Sequence, residues 1–195
     1  MEKIKQNPFV KKVGFNRIVL CCVLLLMYGL FCALTGGSFA GMNRIMSALN
    51  YAYFLGFLSL GVTFVIVTGQ IDFSIGPVMF CCALMSGYTL TTHGISMPVA
   101  FLISILVGFA FGLFNGYLVA YWSVPSFITS MASMNIAKGL ASVYTKTQSV
   151  SWPQSSDPVN GWFRNIASYN GFPVGLVIFL GMAVVCGIVL YNTKP

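Results

Sequence analysis

Long apolar runs separated by short polar breaks dominate the chain, and the charged residues mark where the runs stop. No charge appears between Arg17 and Arg44, and the apolar stretch Ile18 to Leu34 is one candidate membrane span. A helix crosses the hydrocarbon layer with roughly 20 apolar residues. A second charge-free run, between Arg44 and Asp72, places a span near 48–68. From Phe73 to Ala137 there is no formal charge at all, and the stretch is long enough for more than two crossings. Its breaks are Thr91-Thr92-His93-Gly94 and Ser123-Val124-Pro125, which give spans near 75–90, 98–121 and 126–147. A polar stretch, 148–171, carries Trp152, Pro153, Asp157, Trp162 and Arg164, and a last span falls near 172–191. The pattern predicts an all-α polytopic transmembrane helix bundle of about six spans, with one or two broken or short helices. Gly76 and Pro77 interrupt the start of the third span, and Lys138 sits inside the fifth.

Composition removes the competing classes. The chain has 195 residues, 57% of them hydrophobic and 7% charged. Soluble domains carry about 25% charged residues, so this chain cannot cover a soluble surface. Disorder is excluded by the same apolar content. Ten Lys and Arg against three Asp and Glu give +7. The basic residues are few and lie at segment ends rather than in one patch, so the partner they indicate is a lipid bilayer and not nucleic acid. Lys and Arg favour cytoplasmic loops. Lys3, Lys5, Lys11, Lys12 and Arg17 therefore place a basic N-terminal region, 1–17, in the cytoplasm, six crossings return Lys194 there, and 148–171 becomes an extracytoplasmic loop. Ser38-Phe39-Ala40 has the look of a signal-peptide cleavage site. The preceding apolar run is long for a signal peptide and more spans follow, so a retained first span is expected.

The six cysteines, 21, 22, 32, 81, 82 and 186, fall in or near apolar spans and form no Cys-x-x-Cys pair. With one histidine they cannot make a zinc set. They read as small packing residues, and no cofactor or metal is expected. No Gly-rich phosphate loop of the Walker type is present, so the chain itself is not expected to hydrolyse ATP. A lone intramembrane Asp72, with His93 at the other end of the same span in a short outer loop, makes no catalytic set, and no enzyme activity is expected.

Three motifs carry the remaining information. Gly108, Gly112 and Gly116 are four residues apart on the fourth span, a spacing that lets another helix approach closely. Asn115 beside them needs a polar partner and should face the protein interior. The second motif, Thr68-Gly69-Gln70-Ile71-Asp72-Phe73-Ser74-Ile75-Gly76-Pro77, describes a break in helix. Asp72 and Ser74 are N-cap candidates, and Pro77 suits a first turn. Its two readings stay open: a capped cytoplasmic turn, or irregular backbone lining a polar pathway. The third runs from Ser123 through Pro125, Phe127, Ser130, Ser133 and Asn135 to Lys138, and suggests a short, partly polar helix. Lys138 is expected to snorkel or to pair with a carbonyl.

Two of these blocks carry a family resemblance. The segment GVTFVIVTGQIDFSIGPVM, Gly61 to Met79, resembles a block in permease subunits of bacterial monosaccharide ABC importers of the ribose, xylose, galactose and autoinducer-2 type. That family carries Thr-Gly-Gly-Ile-Asp-Leu-Ser-Val-Gly there. FGLFNGYLVAYWSVPSFITSMASMNIAKGLASVYT, Phe111 to Thr145, is similar to its next block, with Asn-Gly, Val-Pro-Pro-Phe-Ile and Ile-Ala-Arg-Gly-Leu. The order and approximate spacing match, and the similarity extends from about Ile45 to the end. Gln70, Phe73, Ser126 and Lys138 replace the usual Gly, Leu, second Pro and Arg. The family continues with a cytoplasmic segment that docks on the ATPase, and the sequence stops where that segment should begin. It is therefore expected to be the N-terminal portion of a permease.

The resemblance implies a multi-pass protein of the bacterial inner membrane. It implies an ATP-hydrolysing ABC subunit, a second permease subunit and an extracytoplasmic sugar-binding protein as partners. The expected function is to form part of the translocation pathway for a monosaccharide or similar small polar solute. The residues expected to shape or line that pathway are Gln70, Asp72, Ser74, Gly76, Asn115, Phe127, Ser133 and Asn135. Two alternatives belong to other classes: a secondary carrier or channel using Asp72 and Lys138 as an intramembrane pair, and a non-transporting membrane assembly subunit.

Overall fold

The computed structural model describes residues 15–167 and 172–193. Lys3, Lys5, Lys11, Lys12 and Lys194, on which the expected orientation rests, lie outside the described residues. Helices are α1 (Phe15–Leu34), α2 (Met42–Val67), α3 (Ile75–His93), α4 (Met97–Tyr121), α5 (Ser126–Tyr144), the short α6 (Arg164–Ala167) and α7 (Val174–Asn192). Single 3-10 turns occupy Ser38–Ala40 and Gly161–Phe163. The described chain is all-α, and each of the six expected segments holds one long helix. Of these, α2, α3, α4 and α7 are long and apolar enough to cross a membrane.

Residues 1–48 and 49–195 form two compact units. In the first, α1 ends in a Schellman motif. Gly36 takes a left-handed φ of 58°, and the Gly37 and Gly36 amides return to the carbonyls of Cys32 and Ala33. A glycine meets that φ without a Cβ clash. The chain then turns so that Phe39 packs against Tyr28 and Phe31, each at a ring separation of 5.6 Å.

The second unit is centred on α3, α4 and α5. One core cluster joins Cys81, Phe111, Ala137 and Ala141. On α5 the buried residues Thr129, Ser133, Ala137 and Ala141 recur every four positions. This is a small-residue stripe that lets α5 lie close to its neighbours, the kind of contact that holds helices together where lipid supplies no hydrophobic drive. A second cluster, Leu90, Met97 and Ala100, receives Trp152 and Phe163 from the segment that follows α5. Hydroxyls tie the trio further. Ser104 donates to Ser86 at 2.8 Å, and Thr89 and Tyr144 share a hydrogen bond of 2.8 Å. All six thiols are free, and Cys81 is wholly buried in the packing.

Helices α2 and α7 meet through aromatic rings laid on glycines. The Tyr53 ring covers Gly175, and the Phe179 ring covers Gly56. A Cβ on Gly175 would sit 2.5 Å from the Tyr53 ring. We expect Gly175→Ala to lower the stability of the chain by about 1–3 kcal/mol, as overpacking does. Thermal unfolding in detergent measures it, and an unchanged midpoint would show that Tyr53 yields freely.

Helix ends differ from the hydropathy pattern where local hydrogen bonding decides. The second helix starts at Met42, ahead of the expected span start at 48, because the Gly41 carbonyl already accepts the Arg44 and Ile45 amides. A cation in the first turn stops a span from entering lipid but does not stop a helix. The third helix runs through Thr91 to His93, because Thr91 donates back to the Gly87 carbonyl at 2.9 Å. Exposed His93 is thus its last residue rather than a loop residue, and Gly94, at φ 62°, ends it.

Candidate functional site

The break between α2 and α3 is built by three local devices. First, α2 ends in a second Schellman motif, in which Gly69 at φ 74° lets the Gly69 and Gln70 amides return to Ile66 and Val65. Next, the Ile71 amide donates to the Ser126 hydroxyl at 3.2 Å, which fixes the break to the first residue of α5. Finally, Asp72 Oδ1 accepts both the Ser74 amide and the Ser74 hydroxyl, each at 2.6 Å. Asp72 therefore acts through an Asx turn on Ser74. Ser74 occupies the N-cap position of α3 but makes no side-chain cap bond of its own, because its hydroxyl is engaged elsewhere.

That engagement continues across two more helices. Asn115 of α4 donates through Nδ2 to Ser74 Oγ at 3.1 Å, and Ser133 of α5 donates to Asn115 Oδ1. The direction of the chain is forced. Ser74 gives its only proton to Asp72, so it can only accept from Asn115, and the amide must present its oxygen to Ser133. Three elements from separate parts of the sequence are thus tied into one relay that ends on a carboxylate. Ser74 and Ser133 are buried, and Asp72 and Asn115 are half-buried.

Beside the relay lies a cavity of about 550 Å³. Its polar wall is Thr68, Gln70, Asp72, Asn115, Ser126 and Ser130, and its apolar wall includes Phe64, Val65 and Val119. Gly112 and Gly116 border it, and a Cβ at either would meet nothing within 4 Å. Gly108 stands at an ordinary 3.6 Å from Cys82 Sγ. Among the described residues of the unit, the tightest approaches lie at other glycines, namely Gly56, Gly87, Gly161 and Gly175.

Of the residues expected from sequence, Gln70, Asp72 and Asn115 line the cavity, and Ser74 and Ser133 join them through the relay. The structure does not bring the others in. Gly76 sits in the first turn of α3 and is exposed. Phe127 is exposed on α5, as is Asn135, which donates to the Met131 carbonyl of its own helix. Lys138 is exposed, and the hydrogen bonds of Asp72 go to Ser74 rather than to it. Thr68, Ser126 and Ser130 also line the cavity and were not among the residues expected to do so. Ser126 had a signal, since it is one of the departures from the family pattern. A proline has no side-chain acceptor for the Ile71 amide, and a serine has one.

An all-α membrane protein with a polar, hydrogen-bonded helix break beside a cavity is a transporter-type architecture. The comparisons give the particular family. Residues 44–194 match the family model described as "Branched-chain amino acid transport system / permease component", and the chain belongs to that family. It is 29% identical over 186 residues to the xylose transport system permease protein XylH of Haemophilus influenzae, covering 94% of this chain and 47% of that protein. It is 34% identical over 139 residues to the inner membrane ABC transporter permease protein YjfF of Escherichia coli, covering 71% and 39%. To the autoinducer 2 import system permease protein LsrC of Photorhabdus laumondii it is 28% identical over 137 residues, covering 70% and 40%. The chain spans about half the length of these relatives or less. No solved structure gives a significant match.

Proposed function

We propose that this chain forms part of the translocation pathway of a permease in an ATP-driven importer for a monosaccharide or a similar small neutral polar solute. The observation that carries the reading is the cavity walled by Gln70, Asp72, Asn115 and Ser130 where a broken helix is held by side chains from α4 and α5. Family membership and the names of the relatives support it. A hydroxylated solute shedding water needs donors and acceptors to replace its hydration, and this wall supplies amides, hydroxyls and a carboxylate. The partners of the assembly are an ATP-hydrolysing ABC subunit, a second permease subunit and an extracytoplasmic binding protein. The assembly sits in the bacterial inner membrane with the basic N-terminus of this chain in the cytoplasm. Transport proceeds by alternating access, each partner favouring the conformation it binds better.

The test is uptake by the full gene product reconstituted with its partners. We expect ATP-dependent uptake of a labelled monosaccharide that is indifferent to an ionophore. Uptake that survives removal of the ATPase and collapses with the ionophore would establish a secondary carrier instead. Co-purification with partners together with unaltered transport in Asp72→Ala would leave an assembly role.

A further inference from the structure

A second cavity, of about 600 Å³, lies at the other end of the same helices. It is lined by Asn50 and Tyr53 of α2, Phe101 of α4, and Ser155, Phe163 and Arg164 of the segment between α5 and α7. Asn50 and Thr68, which border the two cavities, are about 27 Å apart along α2 at 1.5 Å per residue. Asn50 Oδ1 is the one buried side-chain acceptor without a hydrogen-bond partner among the described residues. A buried orphan acceptor is costly, so this atom calls for a donor. Arg164 is held in place at one point. Its Nε donates to the Pro153 carbonyl at 2.9 Å, and its guanidinium lies 5.3 Å from the Phe163 ring centre. Its two terminal nitrogens make no hydrogen bond among the described residues and, with the side chain exposed, stay available as donors.

We infer that this cavity is a second solute site, a station for a neutral hydroxylated ring at the end of the pathway away from the Asp72 relay. The inference rests on the transport reading above. One hydroxyl group donates to Asn50 Oδ1, another accepts from Arg164, and the C–H face of the ring packs on Phe101 or Phe163. Neighbouring hydroxyls on one ring both donate and accept, which matches an orphan acceptor and an available donor on the lining of one cavity. An amino-acid zwitterion could reach the same two groups, but its ammonium would exchange water for a single amide oxygen. Among the described residues no carboxylate lines the cavity to compensate that loss.

The site carries its own reporter, because Trp152 packs on Phe163 with ring centres 5.8 Å apart. The full gene product in nanodiscs should show a saturable tryptophan fluorescence change on titration with D-xylose or D-ribose. Arg164→Gln and Asn50→Ala should each weaken that binding by about tenfold, the worth of one good hydrogen bond to a charged or buried group. Gly139→Ala, an open position of α5 that lines neither cavity, should leave it within about twofold. Arg164 is exposed, so Arg164→Gln keeps the test open even if Asn50→Ala fails to fold. No sugar response, a response to L-valine but not to sugars, or unchanged binding in Arg164→Gln would each overturn the inference. If sugar binds with the expected dependences while uptake proves independent of ATP, the transport reading fails and the site stands.

Discussion

Asp72→Asn should leave transport by the full assembly within about threefold of normal, whereas Asp72→Ala should lower it by about tenfold or more, because only alanine removes the acceptor. The relay makes the asymmetry. Asp72 Oδ1 takes the Ser74 amide and hydroxyl. An asparagine still offers an acceptor oxygen at that place and is as good a residue for such turns. With alanine the Ser74 amide loses its partner, and the buried Ser74 hydroxyl must turn to find another. Asn115 can accept it only by turning its amide over, which reverses its bond to Ser133. The start of α3 and its grip on α4 then loosen together. Asn115 supplies an internal control. Asn115→Asp keeps the size of the side chain and the acceptor for Ser133, but has no donor for Ser74 and sets a second carboxylate beside the first. It should transport worse than Asn115→Ala, about threefold or more, because like charges close together are both disfavoured. Initial rates of labelled sugar uptake, corrected for the amount of assembled complex, measure all four variants. Equal loss in Asp72→Asn and Asp72→Ala would mean that the charge itself matters, as the carrier reading with its intramembrane pair requires. A harmless Asn115→Asp would mean that the relay is incidental.

Much of this was legible in the sequence, and the reasons are physical. Lipid admits few charges, so hydropathy marks each long helix. Short-range chemistry was legible too: Gly69 and Asp72 announced a break, and a membrane-embedded Asn115 required a polar partner. What the pattern could not give is which long-range partner each group finds. Asn115 had several serines within reach on the fifth segment, and only the packing of α5 against α3 and α4 selects Ser133. That packing depends on a stripe of Thr, Ser and Ala, residues too ordinary to stand out beside the regular glycines of α4. Periodic spacing says that three glycines share a face. It does not say whether a helix or a cavity lies opposite, and at Gly112 and Gly116 it is a cavity. Phe127 and Asn135 were reasonable choices by chemistry, but the register of α5 turns them outward. The second cavity had no signature at all, since Asn50 and Arg164 are more than a hundred residues apart and meet only through the fold.

Gly87→Ala and Gly139→Ala, the same change in two neighbouring helices, should move stability in opposite directions. Taken alone, alanine is the better helix former by about 0.8–1 kcal/mol. At Gly139 a Cβ would meet nothing within 4 Å, so that gain stands, and Gly139→Ala should raise the unfolding free energy of the chain by about 0.5–1 kcal/mol. At Gly87 a Cβ would fall 2.7 Å from Trp152 Nε1 and 2.8 Å from Val150 Cγ1. The indole is a rigid plate, and it is also packed against Phe163 and the cluster of Leu90, Met97 and Ala100. It cannot swing away as the end of a flexible chain would. Overpacking of this kind costs about 1–3 kcal/mol, which exceeds the propensity gain, so Gly87→Ala should be net destabilising by about 1 kcal/mol. Because the displaced ring anchors the segment that holds Arg164 and Ser155, the damage should concentrate there. Denaturant titration in mixed micelles gives the two stabilities. In Gly87→Ala the tryptophan emission should shift to the red, and proteolysis should open the segment from Val150 to Arg164 first, whereas in Gly139→Ala neither should change. If Gly87→Ala stabilised the chain as Gly139→Ala does, Trp152 would have to lie off the helix, and Phe163 in the wall of the second cavity would lose the ring that backs it.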